Sequence, residues 1–220
     1  MCGEHSQVME DSGTVRHRSM DEIMEGLHRV RRSPRGVGTL ALVVRRPDLG
    51  TREVLSRAEL DPVAGLVGDS WNQRPSSRTP DRSPHPDMQV NVINSRFVEL
   101  IAGPDHDAWA LAGDQLYVDL DLSVDAMPAG TRLAIGDRAV IEVTEEPHTG
   151  CAKFAARFGT DAHKIVWTDE GKRLRLRGLN ARVLVGATIE PGDTVRQLPA
   201  VPGPAADRTG DDPPPAGAAR

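Results

Sequence analysis

Cys151 lies in the run PHTGCAKFAARFG, residues 147–159, with His148 three positions before it and Lys153 two after. The other cysteine, Cys2, stands next to the first Met. A strand-like segment, RAVIEVT, precedes the run, and the turn EEPHTG leads into Cys151. Phe154 and Phe158 then stand four apart and Gly159 follows, the spacing of a short helix with a glycine stop. Cys151 is therefore expected at a helix N-terminus, where the helix dipole favours negative charge. Lys153 and a protonated His148 would add to that effect and ease ionisation of the thiol. A thiolate is a nucleophile and a soft ligand for transition metals. The competing expectation is a buried, inert thiol, because free Cys is among the most buried residue types.

Other chemistry is poorly supported. His148 with Cys151 gives an HxxC pair, half of a zinc site, and the sequence has no CxxC or HExxH to complete one. No GxSxG, P-loop or GxGxxG occurs.

The elements that must hold Cys151 read mainly as strands. Leu116, Val118, Leu120 and Leu122 alternate with polar positions, as do Leu133 and Ile135, then Ala139, Ile141 and Val143. NARVLVG alternates through Ala181, Val183 and Val185, and TIEPGDTV follows with a Pro-Gly-Asp turn. Several short strands at close intervals suggest a barrel or folded-over sheet. Upstream, VGTLALVVRR reads as a buried strand. Ser19 and Glu22 have capping-box spacing before Ile23, Leu27 and Val30, which share one helical face. MQVNVINSRFVELIAG changes from strand period at Val90 and Val92 to helical spacing at Ile93, Phe97, Leu100 and Ile101. The fold class expected is mainly β (α+β), a β-barrel with a few short helices.

Residues 1–18 are polar and aperiodic and are expected to be a flexible N-terminus, with an N-terminal helix over 19–35. The barrel domain is expected over 36–197 and a disordered Pro-, Ala- and Gly-rich tail over 198–220. Within the domain, residues 71–87 carry four prolines, three serines and no aliphatic residue, and read as a long exposed loop.

The formal net charge is 27 − 32 = −5. That mild acidic excess argues against a general nucleic-acid binder. No run reaches the roughly 18 apolar residues that would span a membrane. The acidic N-terminus lacks the apolar stretch of a secretory signal. A free thiol without a signal suits a reducing cytoplasm.

The stretch GDQLYVDLDLSVDAMPAGTRLAIGDRAVIEVTEEPHTGCAKFAARFG, then RGLNARVLVGATIEPGDTV, resembles the MOSC domain, named for the C-terminal domain of molybdenum cofactor sulfurase. GTLALVVRRP and the Gly68-Asp69 pair also fit, so the resemblance covers roughly residues 36–197. It implies a β-barrel that handles the molybdenum cofactor (molybdopterin), with the family's cysteine at Cys151, as molybdenum ligand or as sulfur carrier. Stand-alone bacterial members are linked to reduction of N-hydroxylated compounds. No aminotransferase-like domain is recognised in this sequence, so pyridoxal phosphate is a property of the family name and is not expected here. The extra N-terminal β domain of the amidoxime reductases is also not seen. The N-terminal helix, the 71–87 loop or a second subunit in a homodimer would then close the cofactor pocket.

On the same resemblance, the phosphate of a molybdopterin would need basic donors, for which Arg96, Lys153 and Arg182 are candidates. Asn94 and Asn180 are candidates for the pterin edge, and the repeated N-x-R pairs, Asn94–Arg96 and Asn180–Arg182, suggest convergence on one site. His148 is either a proton donor near the metal or a turn residue. Three readings follow. One is a molybdenum-dependent oxidoreductase, with Cys151 as ligand, a small N-oxygenated substrate and an external electron donor protein. A second is a sulfur carrier or molybdopterin-delivery module with a persulfide on Cys151, taking sulfur from a donor protein. The third is a ligand-binding barrel with an inert Cys.

Overall fold

The computed structural model describes residues 6–9 and 15–199. Most of the expected flexible N-terminus, Cys2 within it, and all but the first two residues of the expected tail lie outside the described residues. Residues 6–9 depart from the expectation of a mobile segment: β1 (Ser6–Met9) pairs antiparallel with residues 52–55. A free strand edge there supplies the backbone partners that the side-chain pattern of β1 does not announce.

In α1 (Met20–Arg31) the capping box forms between Ser19 and Glu22, and Ile23, Leu27 and Val30 are buried. β2 (Val37–Arg45) is the longest strand. Its register shifts between Leu40 and Leu42, so Leu40 and Val43 face the barrel interior while Leu42 and Val44 face the layer outside it. One inserted residue, Ala41, thus changes which side chains point inward. β3 (Arg52–Leu55) extends β2 as a hairpin, and β4 (Ala58–Asp61) and β5 (Gly65–Leu66) form a small separate sheet.

β6 (Val90–Asn94) runs directly into α2 (Ser95–Ala102), as the change of period predicts, and α3 (His106–Ala110) follows. Then come β7 (Leu116–Asp119), β8 (Arg132–Ile135) and β9 (Ala139–Val143). Three short helices intervene, α4 (Ala152–Phe158), α5 (Thr160–Ile165) and α6 (Asp169–Arg173). The chain ends in β10 (Leu179–Val185), β11 (Ala187–Ile189), which joins the small sheet, and β12 (Thr194–Gln197).

Seven strands close a barrel in the order β2-β12-β8-β9-β10-β6-β7, with β7 returning to β2. All neighbouring pairs are antiparallel except β6–β7, so the barrel is mixed. The interior is filled by Leu, Val, Ile, Ala and one Met, with no aromatic residue. A second apolar layer lies between one outer face and the helices, where Tyr117, Phe97, Phe154 and Phe158 pack. It explains why Tyr117, on the face of β7 opposite Leu116 and Val118, is also fully buried. Its hydroxyl donates to the Trp109 carbonyl at 2.9 Å.

Candidate functional site

Thr144 leaves β9 with its backbone N–H on the Asn180 carbonyl and its hydroxyl on the Asp87 carbonyl, 2.7 Å away. The Asn180 side chain donates to the Glu146 carbonyl at 3.1 Å and accepts from Asn91 at 2.5 Å. The turn 144–150 is thus pinned from beneath by a buried amide pair. Its outer side is held by the ion pair of Glu146 with Arg78, and His85 Nε2 lies 3.6 Å from the same carboxylate. Both partners belong to the 71–87 loop, which packs on the outside of this turn.

Cys151 ends this turn as the residue capping α4, and its thiol makes no capping hydrogen bond. The thiol is free and exposed. That overturns the expectation of a buried, core-filling cysteine: the next turn anchors itself through Phe154 and Phe158, rings 5.0 Å apart, and leaves Cys151 outside.

A cavity of about 290 Å3 lies between this turn and the α6–β10 connection. Gly150, the residue before Cys151, lines it. So do His148, Glu145, Lys172, Arg175 and Arg177. Trp167, Val166 and Leu179 give it an apolar wall. Two positive-φ residues shape the α6–β10 connection, Arg175 at 47° and Gly178 at 97°. A Cβ on Gly178 would stand 2.3 Å from the Val92 carbonyl oxygen, so only glycine brings β10 against β6 here.

A buried ion cluster lies behind the cavity wall. Asp114, fully buried, accepts two bonds from Arg177 Nη1, at 2.7 and 2.9 Å, and one from His148 Nε2 at 2.8 Å. Arg177 Nη2 reaches the Ala112 carbonyl at 3.2 Å, and the guanidinium lies over the Phe154 ring, 5.0 Å from its centre. Burial pushes the Asp114 carboxyl up, but Arg177 and His148 outweigh it and hold it below its ordinary value. Burial, followed by the Arg177 charge, lowers His148 from its ordinary value of 6.5, against an opposing pull from Asp114. This lowering favours the neutral imidazole at pH 7, so the condition under which His148 would add positive charge for Cys151, its protonation, is disfavoured.

The other expected residues do not converge. Asn94 caps α2, accepting from the Arg96 and Phe97 N–H groups, and donates to Ser33 Oγ and the Leu120 carbonyl, both at 2.8 Å. Its amide has no capacity left for a ligand. Arg96 is bidentate to Asp119, at 2.6 and 3.0 Å, and donates to the Arg32 carbonyl at the end of α1. Arg182 pairs with Glu142 at 2.5 Å and with Asp87 at 3.4 Å. Asn180 supports the turn from below, and Lys153 is exposed on α4. None of these five lines the cavity. The two N-x-R pairs serve different elements because the same spacing opens a helix in one case and continues a strand in the other. Of the candidate residues His148 alone lines it; Lys172, Arg175 and Arg177 were not singled out from sequence, although KRLRLRG places basic residues at alternate positions.

Among solved structures, the YuaD protein from Bacillus subtilis superposes with a TM-score of 0.53 at 14% identity, over 72% of this chain and 94% of that one. YiiM from Escherichia coli gives 0.47 at 16% identity, over 74% and 71% of the two chains. YiiM from Geobacillus stearothermophilus gives 0.47 at 19%, over 75% of each. No family model matches the sequence, and no curated protein matches it. The likeness to YuaD is one of fold, and with the mixed seven-stranded barrel it makes the architecture of this chain MOSC-like. Among the described residues, no helix is long and apolar enough to cross a membrane.

Proposed function

We propose that this chain binds a molybdopterin-type molybdenum cofactor in the cavity beside Cys151 and uses it to reduce small N-hydroxylated compounds. The observation that carries the reading is the exposed Cys151 thiol, which is not itself in the lining but directly follows Gly150, a wall residue of a cavity that bears Lys172, Arg175 and Arg177.

The donor set suits such a group. Lys172 and Arg175 pair with no described carboxylate; Arg175 gives Nη1 to the Met127 carbonyl at 2.5 Å, and its remaining donors with the Lys172 ammonium could take a phosphate. Arg177 Nε is buried without a hydrogen-bond acceptor, an incompleteness that costs about 1–3 kcal/mol while unmet. Glu145, which pairs with no described cation, offers acceptors for the N–H edge of a pterin. Trp167, 44% exposed, offers a flat apolar face. Among the described residues no three His, Cys, Asp or Glu side chains cluster to hold a metal ion. Cys151 would then contribute one sulfur ligand, and the cofactor the remainder.

When bound, the cofactor supplies a two-electron centre for removing the oxygen of an N–OH group as water. This chain's residues orient and shield: the turn 144–150, braced from outside by the 71–87 loop, walls off one side, and Lys172 and Arg175 anchor the anionic end. An external electron donor protein restores the electrons. A second reading, a sulfur carrier with a persulfide on Cys151, draws on the exposure of the thiol and its lack of a capping bond. The two separate on turnover. Protein from a molybdopterin-producing host, assayed with an artificial reductant and hydroxylamine, should consume hydroxylamine, and Cys151→Ala should abolish this. Labile sulfur on Cys151 with no turnover would favour the carrier.

A further inference from the structure

His148 has two ring nitrogens and one described partner. Nε2 lies 2.8 Å from Asp114 Oδ1. Asp114 is ionised at neutral pH, because Arg177 and His148 hold its carboxyl low despite burial. A carboxylate only accepts, so Nε2 must carry the proton and donate. Nδ1 bonds no described residue. The His148 side chain keeps 12% of its surface exposed, and the open space beside it is the cavity it lines. Arg177 in turn fixes Asp114 by binding both carboxylate oxygens, while its own plane rests on Phe154.

We propose that Asp114 and Arg177 are positioning residues that keep the His148 proton on Nε2 and so present Nδ1 to the cavity as a hydrogen-bond acceptor for an N–H or O–H group of the bound substrate. The ligand class rests on the proposed function; the tautomer does not. The charged groups that face His148 are Asp114 and Arg177 behind it, Arg46 further back, and Glu145, Glu146, Lys172 and Arg175 around the cavity. The role differs from both sequence readings of His148, a proton donor or a turn residue: a neutral imidazole with a free Nδ1 receives a hydrogen bond from the N-hydroxy group and orients it.

The test is two-bond 1H–15N correlation of the histidine rings in the purified full chain, with His148→Gln to assign the signals. The expected result is a single Nε2–H tautomer for His148 at neutral pH, with the Nδ1 resonance moving when hydroxylamine is added as the smallest N-hydroxylated probe. In Asp114→Asn the single tautomer should give way to a mixture. A wild-type ring protonated on Nδ1, or an Nδ1 resonance indifferent to hydroxylamine, would overturn the proposal. If Asp114→Asn does not fold, the wild-type spectrum alone decides. A positive tautomer result in protein that never binds molybdenum would remove the proposed function and leave the positioning intact.

Discussion

Arg177 meets Asp114, the Ala112 carbonyl and Phe154 at once, and no other side chain at the site has so many roles. Replacing it with Met keeps the bulk over Phe154 but strands a buried carboxylate. Such a loss costs about 3–5 kcal/mol. Arg177→Met should therefore lower unfolding stability by that order in a denaturant titration. The double variant Arg177→Met with Asp114→Asn should recover part of it, because the stranded charge is gone, and a double-mutant cycle reads the coupling. At the same scale, Cys151 was legible from its turn and the helix after it. His148 was legible as a residue of interest, but its charge state was not, since that depends on Asp114 and Arg177, 34 positions before it and 29 after. Spacing reports neighbours along the chain; a buried ion cluster is assembled across it.

The elements around the cavity are held by close backbone approach as much as by side chains. Gly178→Ala adds a Cβ 2.3 Å from the Val92 carbonyl oxygen at a φ of 97°. The β6–β10 pairing must spread or the connection must refold. The variant should lose more than about 1 kcal/mol of stability and should slacken the turn 144–150, which hangs from Asn180 on β10. Faster amide exchange at residues 144–150 in this variant checks the second effect. At this scale the period-two runs of β8, β9 and β10 were legible because each has one face in the barrel interior. β3 and β5 were not, because neither alternates cleanly, whereas β4 alternates buried Ala58 and Leu60 with Glu59 and Asp61 over a single short stretch. Nor did sequence show what the 71–87 loop does: its anchors are Arg78 and His85 on Glu146 and the Asp87 carbonyl on Thr144, all far apart in sequence.

On the scale of the whole molecule, stability should depend on pH in two steps. His148 is held below 6.5 in the fold, so the unfolded chain takes up its proton first. Stability then falls as pH drops through about 6.5. Asp114 is held below its ordinary 3.8, so its contribution persists above that value and is lost on further acidification. Thermal midpoints followed from neutral to acid pH should show the first step, and His148→Gln should remove its share and weaken the second, because His148 also helps hold Asp114 low. The barrel itself was the most legible level, because an interior of Leu, Val and Ile spread over many short strands admits few other solutions. Closure through the parallel β6–β7 pair was hidden, since α2 and α3 separate the two strands in sequence. The claim that joins these scales is that the cavity beside Cys151 holds a molybdenum cofactor through that thiol. The most direct measurement is the molybdenum and pterin content of wild type and Cys151→Ala, both made in a molybdopterin-producing host and purified without oxygen. The account predicts near-stoichiometric molybdenum and pterin in wild type, with molybdenum lost from the variant. Wild-type protein free of both would contradict it.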